Sequence, residues 1–480
     1  MGGEIKERMP ENSWTENNHS SELDPLSSLL SEWSEDDFES DFFFQGLEGR
    51  RRKAALALTL IWGGTITLHL LSWGYWLVFG LTALLGIQAI RVLVARPIRV
   101  PKLLQGENPA DFPFVSLLVA AKNEEAVIQN LVRMLCNLDY PQERCELWVI
   151  NDHSTDKTPI LLDQLAAEYD QLNVFHRDAN ATGGKSGALN QVLPLIKGDV
   201  IGVFDADAHV TQDLLRRVLP IFNQSRVGAV QVRKAIANGR LNFWTKGQMA
   251  EMALDSYFQN QRTAIGGIGE LRGNGQFVRR AALERCGGWN EQTITDDLDL
   301  TIRLHLDRWD IRFLEFPAVD EEGVISTLSL WHQRSRWAEG GYQRYLDYWR
   351  LIASNRLGLS KTIDLFSFLI IQYLLPTAAI PDCLMALLRS RLPLYSPITG
   401  LALTLSFIAM FTGLRRIQRD QPLTIGSLFL NVLQTVRGVL YMMHWMVVMS
   451  ATTARMSVRP KRLKWVKTVH QGTGKESFEF

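Results

Sequence analysis

Long, nearly uncharged apolar stretches bracket a polar insert in which short apolar runs alternate with helix-patterned segments. From Ala54 to Ala95 the chain carries hardly a charge. At about 20 residues per span this length predicts two membrane-crossing helices, and the cluster Ser72-Trp73-Gly74-Tyr75 suits a turn among interfacial aromatics. A second apolar region runs from about Ile363 to Leu388, broken by Pro376 and Pro381, and a third from about Pro397 to Leu414, ending in Arg415, Arg416 and Arg419. The segment Leu423 to Thr453 is interrupted by Arg437 and reads as a tight hairpin, a re-entrant element, or one span plus an interfacial helix. Arg50 to Lys53, Arg91 and Arg96 place both ends of the first hairpin in the cytoplasm by the positive-inside bias. The basic tail Arg459 to Lys467 places the C-terminus there too, so an even number of crossings, four or six, is expected.

The insert alternates in type. Phe114 to Ala120 is an apolar run followed by the helical pattern Glu124 to Leu135. Leu147 to Ile150 is the next strand and Pro159 to Tyr169 the next helix. Val174 to His176, Ser186 to Ile196 and Val200 to Phe204 continue as strand, helix and strand. Such a succession predicts an α/β domain with a mainly parallel sheet and helices on both faces, a Rossmann-like architecture that collects ligands at the carboxyl ends of its strands.

Polar residues concentrate at those ends. Asp205-Ala206-Asp207 follows the run Val200 to Phe204. Side chains two apart on a strand share a face, so both carboxylates can face one divalent cation on a diphosphate; equally, an Asp after a strand can cap the next helix. Asp152, after the second strand, suits either a nucleobase or ribose contact or another helix cap. The glycine-rich Thr182 to Gly187 is not a P-loop, since Ala179 stands where the first glycine is required, but Lys185 near a helix start can neutralise a phosphate. Thr295-Asp296-Asp297-Leu298-Asp299 opens a helical pattern with more carboxylates than capping requires. The helix dipole is expected to hold a base there ionised and weakly basic. Gln333-Arg334-Ser335-Arg336-Trp337 lies among Trp331, Tyr342, Tyr345, Tyr348 and Trp349, a set expected to form an interfacial helix on the bilayer.

Lys+Arg and Asp+Glu balance at 51 each, which argues against a nucleic-acid partner. The first 48 residues are acidic, with Glu35, Asp36, Asp37, Glu39 and Asp41, and lack the pattern of a secretory signal. Four cysteines without CxxC spacing argue against a cysteine metal cluster and against structural disulfides. Charged residues are scarce in the apolar segments, with His69, Asp382 and Arg437 the main exceptions, which disfavours a transporter.

In order and separation, Asp152, Asp205-x-Asp207, Thr295-Asp296-Asp297 and Gln333-x-x-Arg336-Trp337 resemble the D, DxD, acid and QxxRW motifs of the membrane-embedded family 2 glycosyltransferases. The likeness covers roughly residues 112 to 350; Asp296 departs from the usual Glu, and Lys464 to Thr468 resembles the family's post-membrane segment. The resemblance implies a GT-A nucleotide-sugar-binding fold in a cytosolic domain inserted between transmembrane helices, and an inverting transfer. It implies that Asp152, Asp205 and Asp207 engage the nucleotide sugar, that Gln333, Arg336 and Trp337 line the acceptor and pyrophosphate side, that Asp207 holds Mg2+ (or Mn2+), and that Asp297 is the general base; Lys185 of the glycine-rich loop is the expected phosphate partner beside them. The layout is similar to cyanobacterial glucolipid-forming members, so the expected reaction takes glucose from UDP-glucose to 1,2-diacylglycerol in a plasma or thylakoid membrane. A processive β-glycan synthase is the alternative. The expected organisation is an acidic tail (1–48), a transmembrane hairpin (49–98), the GT-A domain with its interfacial helix (110–350), a transmembrane region of two to four spans (351–458) and a basic cytosolic tail (459–480).

Overall fold

The computed structural model describes residues 49–106, 108–419 and 422–458; the acidic and basic tails, with Lys464 to Thr468, lie outside them. The first apolar stretch forms two helices, α1 (Arg50–Leu70) and α2 (Gly74–Val94), joined at Leu71 to Trp73. The insert then gives β1 (Val115–Ala121), α3 (Ile128–Cys136), β2 (Cys145–Asn151), α4 (Thr158–Glu168), β3 (Leu172–His176), α5 (Gly184–Val192) and β4 (Val200–Phe204). The expected helix over Ser186 to Ile196 ends already at Val192, and α3 starts at Ile128 rather than Glu124. The Asn123 and Glu124 amides donate to Ser154 Oγ (2.9 Å) and Thr158 Oγ1 (2.8 Å), which ties that segment to the neighbouring loop instead of a helical turn.

Beyond β4 come α6 (Leu214–Val218), β5 (Val227–Ile236), α7 (Phe243–Ala264), β6 (Gln276–Arg279), α8 (Arg280–Arg285), α9 (Asp296–Leu306) and β7 (Asp310–Glu321). The seven strands form one sheet of order β3-β2-β1-β4-β6-β5-β7. Every pairing is parallel except the two made by β6, so the sheet is mainly parallel with one reversed strand. Strand alternation gives it two cores: Leu117 and Val119 of β1 join Leu131, Leu165 and Leu214 on one face, while Leu118 joins Leu189, Leu283 and Leu300 on the other. Helices cover both faces, as the alternating pattern requires.

The chain continues through α10 (Thr327–Ala353), α11 (Leu359–Leu369), α12 (Leu375–Leu388), α13 (Ser396–Ile417), α14 (Ile425–Met442) and α15 (His444–Val458). A π-helical turn at Ile370–Leu374 joins α11 to α12 just before Pro376, whose ring nitrogen has no hydrogen to donate. Among the described residues five helices are long and apolar enough to cross a membrane: Arg50–Leu70, Gly74–Val94, Leu359–Leu388, Ser396–Ile417 and Ile425–Val458. The two halves of the last part company at Met443. α14 packs on α7 and α13, whereas α15 packs on α1, α10 and α12, so the segment is not a tight hairpin.

At α10 the aromatics expected on an interfacial helix do not share one outward face. Tyr342, Tyr345 and Tyr348 are buried with Ala54, Ile302, Val448 and Met449, because α9, α1 and α15 all pack against this helix; only Trp331 and Trp349, each 37 % exposed, keep an outward face.

Candidate active site

Neither DxD carboxylate caps a helix. The next helix, α6, begins at Leu214 with Asp213 at its N-cap, well beyond Asp205 and Asp207. Asp205 instead pairs with Lys185 Nζ at 2.5 Å, and its backbone amide donates to Asn274 Oδ1 at 3.3 Å. Asp207 is buried and accepts from the Glu322 amide at 2.9 Å. A bridge between His209 and Asp320 clamps the end of this loop to β7, which fixes both carboxylates at the carboxyl edge of the sheet.

Asp152 is likewise no cap: Asp156 Oδ1 accepts from the Thr158 amide at the start of α4, while Asp152 accepts from Arg177 Nη1 and lies 3.4 Å from Lys122 Nζ. Arg177 also donates to the carbonyls of Thr182 (2.6 Å) and Gly184 (3.2 Å), and so ties Asp152 to the glycine-rich loop that presents Lys185 at the start of α5. Asp152, Lys185 and Asp205 therefore belong to one connected edge.

α9 brings its first turn to the same place. Asp299 turns inward and is structural, bonded to Arg303, Asn290 and Tyr348. Asp297 is half-buried; its Oδ1 accepts from the Leu298 amide at 2.8 Å. A Cβ on Gly273 would stand 3.4 Å from Asp297 Oδ2, and Gly273 has φ +81°, so this close approach suits glycine. Burial first, and then the neighbouring Asp296, push the Asp297 carboxyl up to about 6, while the Leu298 amide, Arg272 and Lys185 oppose the shift. The expected dipole-weakened base is thereby corrected, since desolvation and a like charge outweigh the helix terminus. Lys185 is raised despite its burial by Asp205, Asp296 and Asp297, which places all four groups within mutual electrostatic reach.

α10 closes the site. Burial pulls the Arg336 guanidinium below its usual value against the opposing charges of Asp205, Asp297 and Asp296. Trp337 is held between two cations, with Arg334 Cζ 4.0 Å and Lys234 Nζ 5.5 Å from its ring centre. Gln333 accepts from Arg334 Nη1 at 2.9 Å, so it orders the neighbouring arginine.

Sequence reasoning missed several members of this constellation. Lys234, at the end of β5, pairs with Glu321 at 2.8 Å and senses Asp205 and Asp297. Arg177 holds Asp152, and buried Asn274 holds the DxD loop. The Gly273-Asn274-Gly275 run, with φ of +81° and +69° at its glycines, was the legible signal of a special loop. Chemically the edge suits transfer of a group from an anionic carrier, since cations line one side of a carboxylate poised to take a proton. Among the described residues no cluster of three or more His, Cys, Asp or Glu could hold a metal unaided.

These features define a group-transfer enzyme, and a model described as "Glycosyltransferase like family 2" matches residues 113–340. The chain belongs to the family 2 glycosyltransferases, with an α/β domain of the GT-A kind between apolar helices. It is 63 % identical to the β-monoglucosyldiacylglycerol synthase of Nostoc sp. over 97 % of this chain and 100 % of that relative. It is 56 % identical to the enzyme of the same name from Synechocystis sp., over 98 % of this chain and 99 % of that one. Among solved structures, the Pyrobaculum calidifontis mannosyltransferase PcManGT, in complex with GDP-Man and Mn2+, aligns with a TM-score of 0.45 at 20 % identity, covering 81 % of this chain and 99 % of that chain.

Proposed function

We propose that the protein transfers glucose from UDP-glucose to 1,2-diacylglycerol with inversion, forming β-monoglucosyldiacylglycerol and UDP at the cytoplasmic face of a membrane. The observation that carries the chemistry is the gathering of Asp297, Lys185, Asp205 and Arg336 at the DxD edge, where Lys185 pairs with Asp205 and burial with Asp296 pushes the Asp297 carboxyl up. Full-length relatives at 56 to 63 % identity that bear this activity in their names supply the sugar and the acceptor.

In the single displacement, the acceptor hydroxyl oxygen bonds to the anomeric carbon as the bond from that carbon to the diphosphate breaks. Asp297 takes the hydroxyl proton, and the electron pair of the broken bond leaves with UDP. Lys185 and Arg336 meet that growing charge, an interaction stronger in the transition state than in the ground state. Asp152 meets the nucleoside end, and Trp337, with Gln333 behind it through Arg334, forms the wall on the α10 side. The carboxylates of Asp205 and Asp207 are hard oxygen donors, and two such groups completed by diphosphate oxygens suit Mg2+ or Mn2+. When bound, that cation neutralises the leaving diphosphate.

Protein purified in detergent and given radiolabelled UDP-glucose with diacylglycerol is expected to yield one glucolipid on thin-layer chromatography. Label confined to an immobile polymer would favour a processive glycan synthase instead.

A further inference from the structure

The sheet carries a second polar site at the edge opposite the catalytic one. β5 and β7 run in the direction of β4, so Arg226, just before β5, and Asp310, the first residue of β7, lie at the edge away from Asp205. There a cleft of about 370 Å3 is lined by Arg226, Arg308, Arg356 and Lys361 together with Asp310 and His305. Lys361 Nζ is 2.9 Å from Asp310 Oδ1, so the lining sets four cationic side chains against one carboxylate. His305 adds no charge at neutral pH, because burial, and next Lys361, pull its imidazole down to about 3.

The cleft's position identifies what it suits. Asn355 to Gly358 form one wall, and the very next residue, Leu359, opens the candidate span Leu359–Leu388. Leu359 is 68 % and Ile363 38 % exposed, so the span that begins beside the cleft turns apolar side chains outward from its first turns. A cationic cleft at the mouth of a membrane-length helix suits a compact anion whose apolar tail lies in the bilayer. Arginine forks match phosphate or sulfonate oxygens two at a time, and basic pockets at the cytoplasmic ends of spans favour such headgroups. We propose that this cleft binds the anionic headgroup of a membrane lipid, which seats the far end of the catalytic domain on the bilayer. α10 ends at Ala353 beside this cleft, so a lipid held here also braces the helix whose other half carries Gln333 to Trp337.

The full-length protein in neutral detergent is titrated separately with phosphatidylglycerol, phosphatidylcholine and inorganic phosphate, reading lipid retained per chain by native mass spectrometry and the shift in Tm. Phosphatidylglycerol is expected to be retained and to raise Tm, with the other two probes doing neither. The surface pair Arg226→Gln with Arg308→Gln is expected to weaken retention by about fivefold per charge removed, and the pair Arg226→Lys with Arg308→Lys to keep it within a few-fold. Equal retention of the two lipids, equal protection by inorganic phosphate, or undiminished phosphatidylglycerol binding by the glutamine pair would each overturn the assignment. Because lipid binding rather than sugar transfer is measured, such a failure leaves the proposed reaction standing.

Discussion

At the scale of single residues, Asp297 shows how environment rather than sequence position sets reactivity. The first turn of a helix normally favours the ionised carboxylate, yet burial and Asp296 push this one up to about 6. A group raised to that value is mostly ionised at pH 7 and protonates as the pH falls through 6, so kcat/KM is expected to drop on the acid side with an apparent pKa near 6. A profile that stays flat down to pH 5 would remove Asp297 as the base. Asp297→Asn keeps size and shape but cannot take the proton, and is expected to lower kcat by roughly 10²- to 10⁴-fold. UDP-glucose binding, followed by calorimetry, should change little. The same residue scale explains what the sequence left open. Asp152, Asp205 and Asp207 each read as a cap or as a ligand until Asp156 and Asp213 took the positions at the starts of α4 and α6.

Secondary-structure elements are positioned by close packing and by buried charge. A Cβ on Gly340 of α10 would come within 2.1 Å of Thr295 Oγ1, the residue that opens α9. Gly340→Ala must therefore displace the turn bearing Asp297, with an overpacking penalty of about 1–3 kcal/mol. A lower Tm together with reduced kcat is expected; an unchanged kcat would separate this contact from catalysis. Glu270 ties further elements together. It is fully buried, 2.9 Å from Arg344 of α10, 2.7 Å from Arg272 and 3.7 Å from Arg262 of α7. Burial alone would raise its carboxyl, but the three guanidiniums hold it well below the usual range. The stability it provides is thus present above the ordinary carboxylate pKa and is lost only as the pH falls through the depressed native value. Glu270→Gln is expected to cost about 3 kcal/mol, the low end for breaking a buried pair, because Arg262 keeps Asp364 and Arg272 keeps Asp255. Thermal melting in detergent at pH 7 checks this, and a loss under 1 kcal/mol would contradict it.

For the molecule as a whole, catalysis and membrane attachment share one body. α10 runs 27 residues, about 40 Å at the rise of an α-helix, between the catalytic edge and the first apolar helix that follows it. Arg50 of α1 donates to Asp347 of α10 and to the carbonyl of Gln292, so the leading hairpin grips the same helix from the other side. A lipid acceptor is consistent with this arrangement, in which one helix joins the catalytic edge to the apolar helices. With only two DxD carboxylates and no larger ligand cluster among the described residues, any bound cation must lean on the donor's phosphates. EDTA is accordingly expected to abolish transfer while leaving Tm within about 2 °C, and added Mg2+ or Mn2+ to restore it. Activity that survives exhaustive chelation would exclude the metal-assisted reading.

Sequence alone determined the apolar helices, the strand and helix alternation and the identity of the acidic and basic side chains, because burial of apolar surface and the periods of helix and strand act over a few neighbouring residues. Thus β4 with its DxD and the apolar helices up to Ile417 were legible from local pattern, whereas the charge bias led to an even number of crossings and the described residues hold five membrane-length helices. Only the tertiary structure decided that β6 reverses, that the tyrosines of α10 turn inward, that Lys234, Arg177 and Asn274 join the site, and that Asp297 gains basicity. Each of those depends on groups distant along the chain meeting in space, where desolvation and charge at a few ångströms outweigh anything a local pattern encodes.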